Sequence, residues 1–108
     1  MPVVSNSTPL IHLAKIDRLD LLKEFFGEIF IPEAVYRECV LEGKGSEDSE
    51  LIEKADWIKV VRIKDETLKK SLMLELDKGE SEAIVLALEM NSELLLIDDY
   101  EGKKLQGH

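Results

Sequence analysis

Two hydrophobic rhythms alternate along this chain. Short apolar runs stand at Val3-Val4, Glu28 to Ile31, Ile58 to Ile63 and Leu94 to Ile97. The last is apolar at every position, which suits a strand covered on both faces. Between the runs, apolar residues recur at helical spacing. Leu10, Ile11, Leu13 and Ala14 make one face, preceded by Thr8 as a cap and Pro9 in the first turn. Asp17 is placed to cap a second helical stretch, which carries Leu19, Leu21, Leu22, Phe25 and Phe26 and ends at Gly27. Pro32 opens a third helix that runs to about Glu42 and stops at Gly43. Lys44 to Ser49 reads as a loop and Glu50 to Lys54 as a helical turn. A further helix starts at Asp65 or Thr67 and runs through Leu76, Asp77-Lys78-Gly79 forms a turn, and Glu80 to Met90 is an apolar helix ended by Asn91.

The order is therefore β-αα-β-α-(α)-β-α-α-β. Strands that alternate with helices predict an α/β fold, with a parallel sheet covered on both faces. At 108 residues the chain is one domain, with no repeat and no linker long enough to divide it. Apolar residues make up 44%, which excludes a disordered chain. No apolar run approaches the roughly 20 residues that span a bilayer, and the N-terminus lacks a basic and apolar export signal. The single cysteine, Cys39, has no partner for an internal disulfide, so a reducing cytoplasm is expected.

Charge changes the picture. The net charge is −9, from 23 acidic and 14 basic residues. Alone, that balance opposes nucleic-acid binding, because carboxylates repel phosphates. Most of the acids are expected to form a solvated surface, but a few fall where solvation is poor. A parallel sheet binds its ligands beyond the C-terminal ends of its strands. Asn6 follows the first strand and Asp98 follows the last, so neighbouring strands would bring them together. At about 100° per residue, Glu38 lies on one arc with Ala34, Val35, Cys39 and Leu41. A carboxylate on such a face is costly unless paired or bound to a cation. Glu80 points toward Ala83, Ile84 and Ala87, whereas Glu82 and Glu89 share a narrow stripe expected to face solvent. A set of oxygen donors suits Mg²⁺ or Mn²⁺ better than zinc.

Four segments also resemble the PIN-domain family. They are Val3-Val4-Ser5-Asn6-Ser7-Thr8-Pro9-Leu10-Ile11, Ile31-Pro32-Glu33-Ala34-Val35-Tyr36-Arg37-Glu38, Gly79-Glu80-Ser81-Glu82-Ala83-Ile84-Val85-Leu86-Ala87 and Leu94-Leu95-Leu96-Ile97-Asp98. The likeness is to the bacterial and archaeal PIN-like group found beside small antitoxin-like genes, and it extends over nearly the whole chain in order. It implies a Rossmann-like parallel sheet of order 3-2-1-4 and Mg²⁺- or Mn²⁺-dependent cleavage of RNA, in relatives that are often toxins of toxin–antitoxin pairs. The family's acidic quartet falls on Asn6, Glu38, Glu80 and Asp98, all as metal ligands and the three acids as catalytic residues. Glu82 is a rival for the third place.

The chain departs from the pattern twice. Asn6 stands where Asp is usual; its amide oxygen can ligate a metal but brings no charge and cannot act as a base. The chain also stops short of the usual C-terminal strand and helix, so the expectation is either a fragment or a last strand whose edge is covered by a partner, an antitoxin or a second copy as a homodimer. Two alternatives to the ribonuclease follow: a degenerate, inactive PIN domain that binds protein or RNA, and a non-enzymatic interaction module. Lys15, Arg18 and Lys44 are candidates for contact with the RNA backbone.

Overall fold

The computed structural model describes residues 2–97. Its four strands are β1 (Val3–Ser5), β2 (Ile29–Pro32), β3 (Ile58–Val61) and β4 (Leu94–Leu96). They form one parallel sheet in the order β3-β2-β1-β4. The helices are α1 (Ser7–Lys15), α2 (Asp20–Phe26), α3 (Glu33–Tyr36), α4 (Glu47–Lys54), α5 (Glu66–Leu72) and α6 (Lys78–Glu89). The expected architecture and strand order are both present.

Side chains of a strand point alternately to its two faces. Val3, Ile29, Ile31, Ile58 and Leu96 accordingly join one core, completed by Leu10, Leu22, Val35 and Ile52 from the helices. Val4, Phe30, Val61 and Leu95 join the other, beneath Ala83, Val85 and Leu86 of α6. β1 occupies an inner position, paired with β2 at Val4–Phe30 and with β4 at Val3–Leu94, Val4–Leu95 and Ser5–Leu96. The Asn6 N–H donates to the Leu96 carbonyl at 2.9 Å, carrying the pairing past the end of β1.

Several boundaries differ from the expectation, each for a local reason. Thr8 does not cap α1; Asn6 has the extended N-cap backbone and the helix starts at Ser7. Asp17 does not cap α2; it takes φ 58°, a left-handed conformation that Asp tolerates, and its N–H closes the end of α1 on the Ala14 carbonyl. The stretch read as a loop to Ser49 is already helical from Glu47, because the Ser46 hydroxyl accepts from the Ser49 N–H. Asp77-Lys78-Gly79 is not a free turn: the Asp77 carboxylate accepts from the Glu80 N–H and starts α6 at Lys78. Asp65 caps α5 as expected, but the helix ends at Leu72 rather than Leu76. β3 ends at Val61 rather than Ile63. β4 is half-exposed, since it forms the edge of the described sheet and is paired there on one side.

Among the described residues no helix is long and apolar enough to cross a membrane. The core predicts a sharp contrast in urea unfolding followed by Trp57 fluorescence. Replacing the fully buried Ile31 by Ala should cost about 2–5 kcal/mol. The same change at the exposed Val60, on the neighbouring strand, should stay within about 0.5 kcal/mol.

Candidate metal centre

Past the carboxyl end of β1 the chain turns at Asn6 into α1. Asn6 is 4% exposed, and its Oδ1 has no hydrogen-bond partner among the described residues. A buried amide oxygen without a partner costs roughly 1–3 kcal/mol. Glu38 Oε1 is in the same condition. So is the hydroxyl of Ser81, on the second turn of α6 and fully buried.

Glu38 owes its place to an irregularity. After one turn, α3 widens into a π-helical stretch, Arg37–Leu41, with Glu38 as its second residue. Such widenings re-aim side chains and often mark functional sites. The Glu38 carboxylate lies directly against the backbone at Gly79, so close that a β-carbon at residue 79 would run into Oε1. Glycine is required there for close approach rather than for its dihedral angles.

Like charges gather around this contact. Burial first, then Asp77, Glu42 and Glu80, raise the Glu38 pKa above 4.5, while a hydrogen bond from the Ser7 side chain pulls it the other way. Glu38, Glu42 and Asp77 share a cleft of about 250 Å³ with Ala34, Arg37, Lys78 and Gly79. That is below the ~300–1,000 Å³ of an ordinary small-molecule pocket. Arg37 and Lys78 are exposed, and neither forms an ion pair among the described residues.

Of the residues singled out in the sequence, the structure brings Glu38 and Glu80 into one electrostatic neighbourhood. Asn6 follows β1, next to Ser7, whose side chain touches Glu38. Asp98 lies outside the described residues; Ile97, immediately before it, follows β4 beside β1. Glu82 is not on a solvent stripe. It is 5% exposed, accepting from the Ala34 N–H at 3.0 Å and from Lys69 Nζ at 2.7 Å. Its stripe is covered by α3 and α5, which helical spacing within one segment cannot reveal. Glu89 is exposed but accepts from the N–H groups of Lys64 and Asp65 ahead of α5. Sequence reasoning missed Ser7, Asp77 and Gly79; the signal for Gly79 was its position directly before Glu80.

The donor chemistry fits a hard divalent cation. Asn6 and Glu38 both offer buried oxygens that nothing among the described residues satisfies. Burial and the Glu38 charge push the Cys39 thiol up to about 12, so it stays protonated and is a poor metal ligand. Among the described residues no three His, Cys, Asp or Glu side chains gather closely enough to hold an ion by themselves.

The raised Glu38 pKa gives a signed expectation for protein kept free of metal. The ionised carboxylate is disfavoured in the folded chain, so its ionisation costs stability as pH rises from the unfolded value of 4.5 through the folded one. Glu38→Gln should therefore raise the urea midpoint at neutral pH, and the gain should shrink as pH falls to 4.5 and below. A gain that is equal at both pH values would contradict the electrostatic account.

Comparisons with curated proteins and with solved structures return no match. A family model does match: DUF3368, described as a PIN domain, over residues 2–106. With a parallel sheet ordered 3-2-1-4 and acidic side chains crowded around Glu38, this chain belongs to the PIN-domain family, whose fold is of nuclease type.

Proposed function

We propose that the chain is a Mg²⁺- or Mn²⁺-dependent ribonuclease that hydrolyses RNA phosphodiesters. The observation that carries this is two buried oxygens unsatisfied among the described residues, Asn6 Oδ1 and Glu38 Oε1, the second on a carboxylate whose proton affinity is raised by burial and by the acids around it. Asn6, Glu38, Glu80 and Asp98 would hold the ion. When bound, it would lower the pKa of a water and offset charge on the scissile phosphate. The chain's own groups do the rest. Gly79 admits the Glu38 carboxylate to the backbone, and Ser7 orients it.

The candidate cations for the RNA backbone shift from those suggested by the sequence. Lys15 pairs with Asp48 at 3.7 Å, and Arg18 lies 3.9 Å from Asp20. Neither lines the acidic cleft, and nor does Lys44. Arg37 and Lys78 do, from α3's continuation and from the first residue of α6. They supply positive charge beside the carboxylates of the cleft, where an entering phosphate chain needs it.

PIN domains often act on RNA and pair with antitoxins. By that analogy we place this chain as the toxin of such a pair, in the cytoplasm, with an antitoxin or a second copy covering the β4 edge. Asn6 favours a second reading. Its amide lacks the charge that a carboxylate would bring, and an inactive, RNA- or protein-binding PIN domain would tolerate that loss.

Purified protein with single-stranded RNA should show Mn²⁺-dependent cutting that excess EDTA abolishes. Glu38→Ala should lower it on the order of 100-fold. Asn6→Asp separates the two readings: a modest rise over a working wild type supports the ribonuclease, whereas cutting that appears only in the variant supports degeneracy. Cutting undiminished in EDTA would refute the metal-dependent mechanism.

A further inference from the structure

Glu82 is the most buried carboxylate among the described residues, and the chemistry above does not use it. Both of its oxygens are engaged. Oε1 accepts from the Ala34 N–H at 3.0 Å, and Oε2 lies 2.7 Å from Lys69 Nζ. The Lys69 side chain is itself only 14% exposed, and its ammonium also lies near Glu66. Its pKa is raised, first by the hydrogen bond to Glu82. The ion pair is thus largely dry, a regime in which removing one partner is far costlier than at a surface.

The Ala34 contact has a geometric consequence. The first N–H groups of a helix have no partner within it. The residue before α3 is Pro32, which makes no side-chain cap. Glu82 supplies the missing acceptor from 48 residues further along the chain. A carboxylate at that end is also favoured by the helix dipole. Ala34 and Glu38 are four residues apart, and Gly79 and Glu82 are three apart. Each pair shares a helix face. The same two faces therefore meet at two levels, Ala34 on Glu82 and Glu38 on Gly79.

We propose that Glu82 is a positioning residue: by holding the start of α3 through Ala34, it sets where Glu38 stands over Gly79, while Lys69 keeps the Glu82 carboxylate out of the cleft. The part of this that concerns metal binding rests on the ribonuclease reading; the placement of α3 does not. Glu82 reads as a ligand in the sequence because it lies close to Glu80 and is acidic. In the fold its oxygens serve the scaffold of the ligand opposite.

Two measurements on the full chain test this. The first is amide hydrogen exchange without metal. Glu82→Ala should speed exchange at Ala34 through Glu38 beyond the general increase in the β1 and β2 amides, because the lost contact is local. Glu82→Gln keeps an oxygen for the Ala34 N–H, so it should lower the melting temperature without that local signature. The second is Mn²⁺ affinity by calorimetry. Glu82→Ala should weaken it about 10-fold, the scale of a supporting contact behind a ligand. Glu82→Gln should stay within about 3-fold on the same reasoning.

If Glu82→Ala does not fold, Glu82→Asp takes its place. It keeps the charge for Lys69 but falls about 1.5 Å short, one C–C bond, and should show the same exchange signature and affinity loss. Exchange raised uniformly, or Mn²⁺ affinity unchanged by loss of the Ala34 contact, would overturn the proposal. Gln as damaging as Ala to Mn²⁺ affinity would make Glu82 a ligand, which also overturns it. Wild-type protein that binds no Mn²⁺ would sink the ribonuclease reading instead, with the exchange data still deciding whether Glu82 places α3.

Discussion

A carboxylate pressed against a helix backbone is the contact on which this site turns. Glu38 can lie on Gly79 only because residue 79 has no side chain, and only because α6 begins there rather than a turn later. The Asp77 cap fixes that beginning by accepting from the Glu80 N–H. The same carboxylate that starts the helix is then the largest negative neighbour of Glu38, and Glu80 in the first turn adds to it. One local device, an Asp-capped helix opening on Gly-Glu, thus builds both the close approach and the charge density.

Such crowding opposes folding unless something offsets it. The two apolar cores on either side of the sheet supply the general stability, but they do nothing for the field at Glu38. The Ser7 hydrogen bond offsets part of it. Arg37 and Lys78 stand at the cleft without closing into ion pairs among the described residues, although Arg62, Lys69, Lys15 and Arg18 all do so elsewhere. A fold selected for stability alone would be expected to pair such carboxylates with their nearest cations. Among the described residues the oxygens stay unsatisfied and the cations unpaired, the arrangement that the proposed metal and phosphate would use.

What the sequence discloses depends on how far each signal reaches. Strand alternation and helical spacing are local, and they lead to the right order of elements and the right sheet. The placement of Asn6 after the first strand follows from a topological rule and holds in the structure. Caps are also local, yet Ser46, Asn6 and Asp77 start their helices earlier than apolar spacing suggests, because a capping residue need not touch the apolar face. Glu38 stands out in the sequence as a charge on an apolar arc, and in the structure its Oε1 is buried. The π-helical widening at Arg37–Leu41 is invisible to a 3.6-residue period. Glu82 shows the limit most clearly. Its stripe on α6 is polar by composition, and only the docking of α3 and α5 turns that stripe inward.

Net charge is the other place where a global number misleads. A chain at −9 should repel RNA if its charge were spread evenly. It is not spread evenly: Glu82 is matched by Lys69, Asp48 by Lys15 and Glu33 by Arg62, while Asp77, Glu42 and Glu80 all act on Glu38 at the cleft. A divalent cation bound there would turn a repulsive point of the surface into one attractive to a phosphate, with Arg37 and Lys78 already beside it. The acidity of the chain is therefore compatible with an anionic substrate through that exchange, and the raised proton affinity of Glu38 is what burial and the same field together do when protons are the only cations offered.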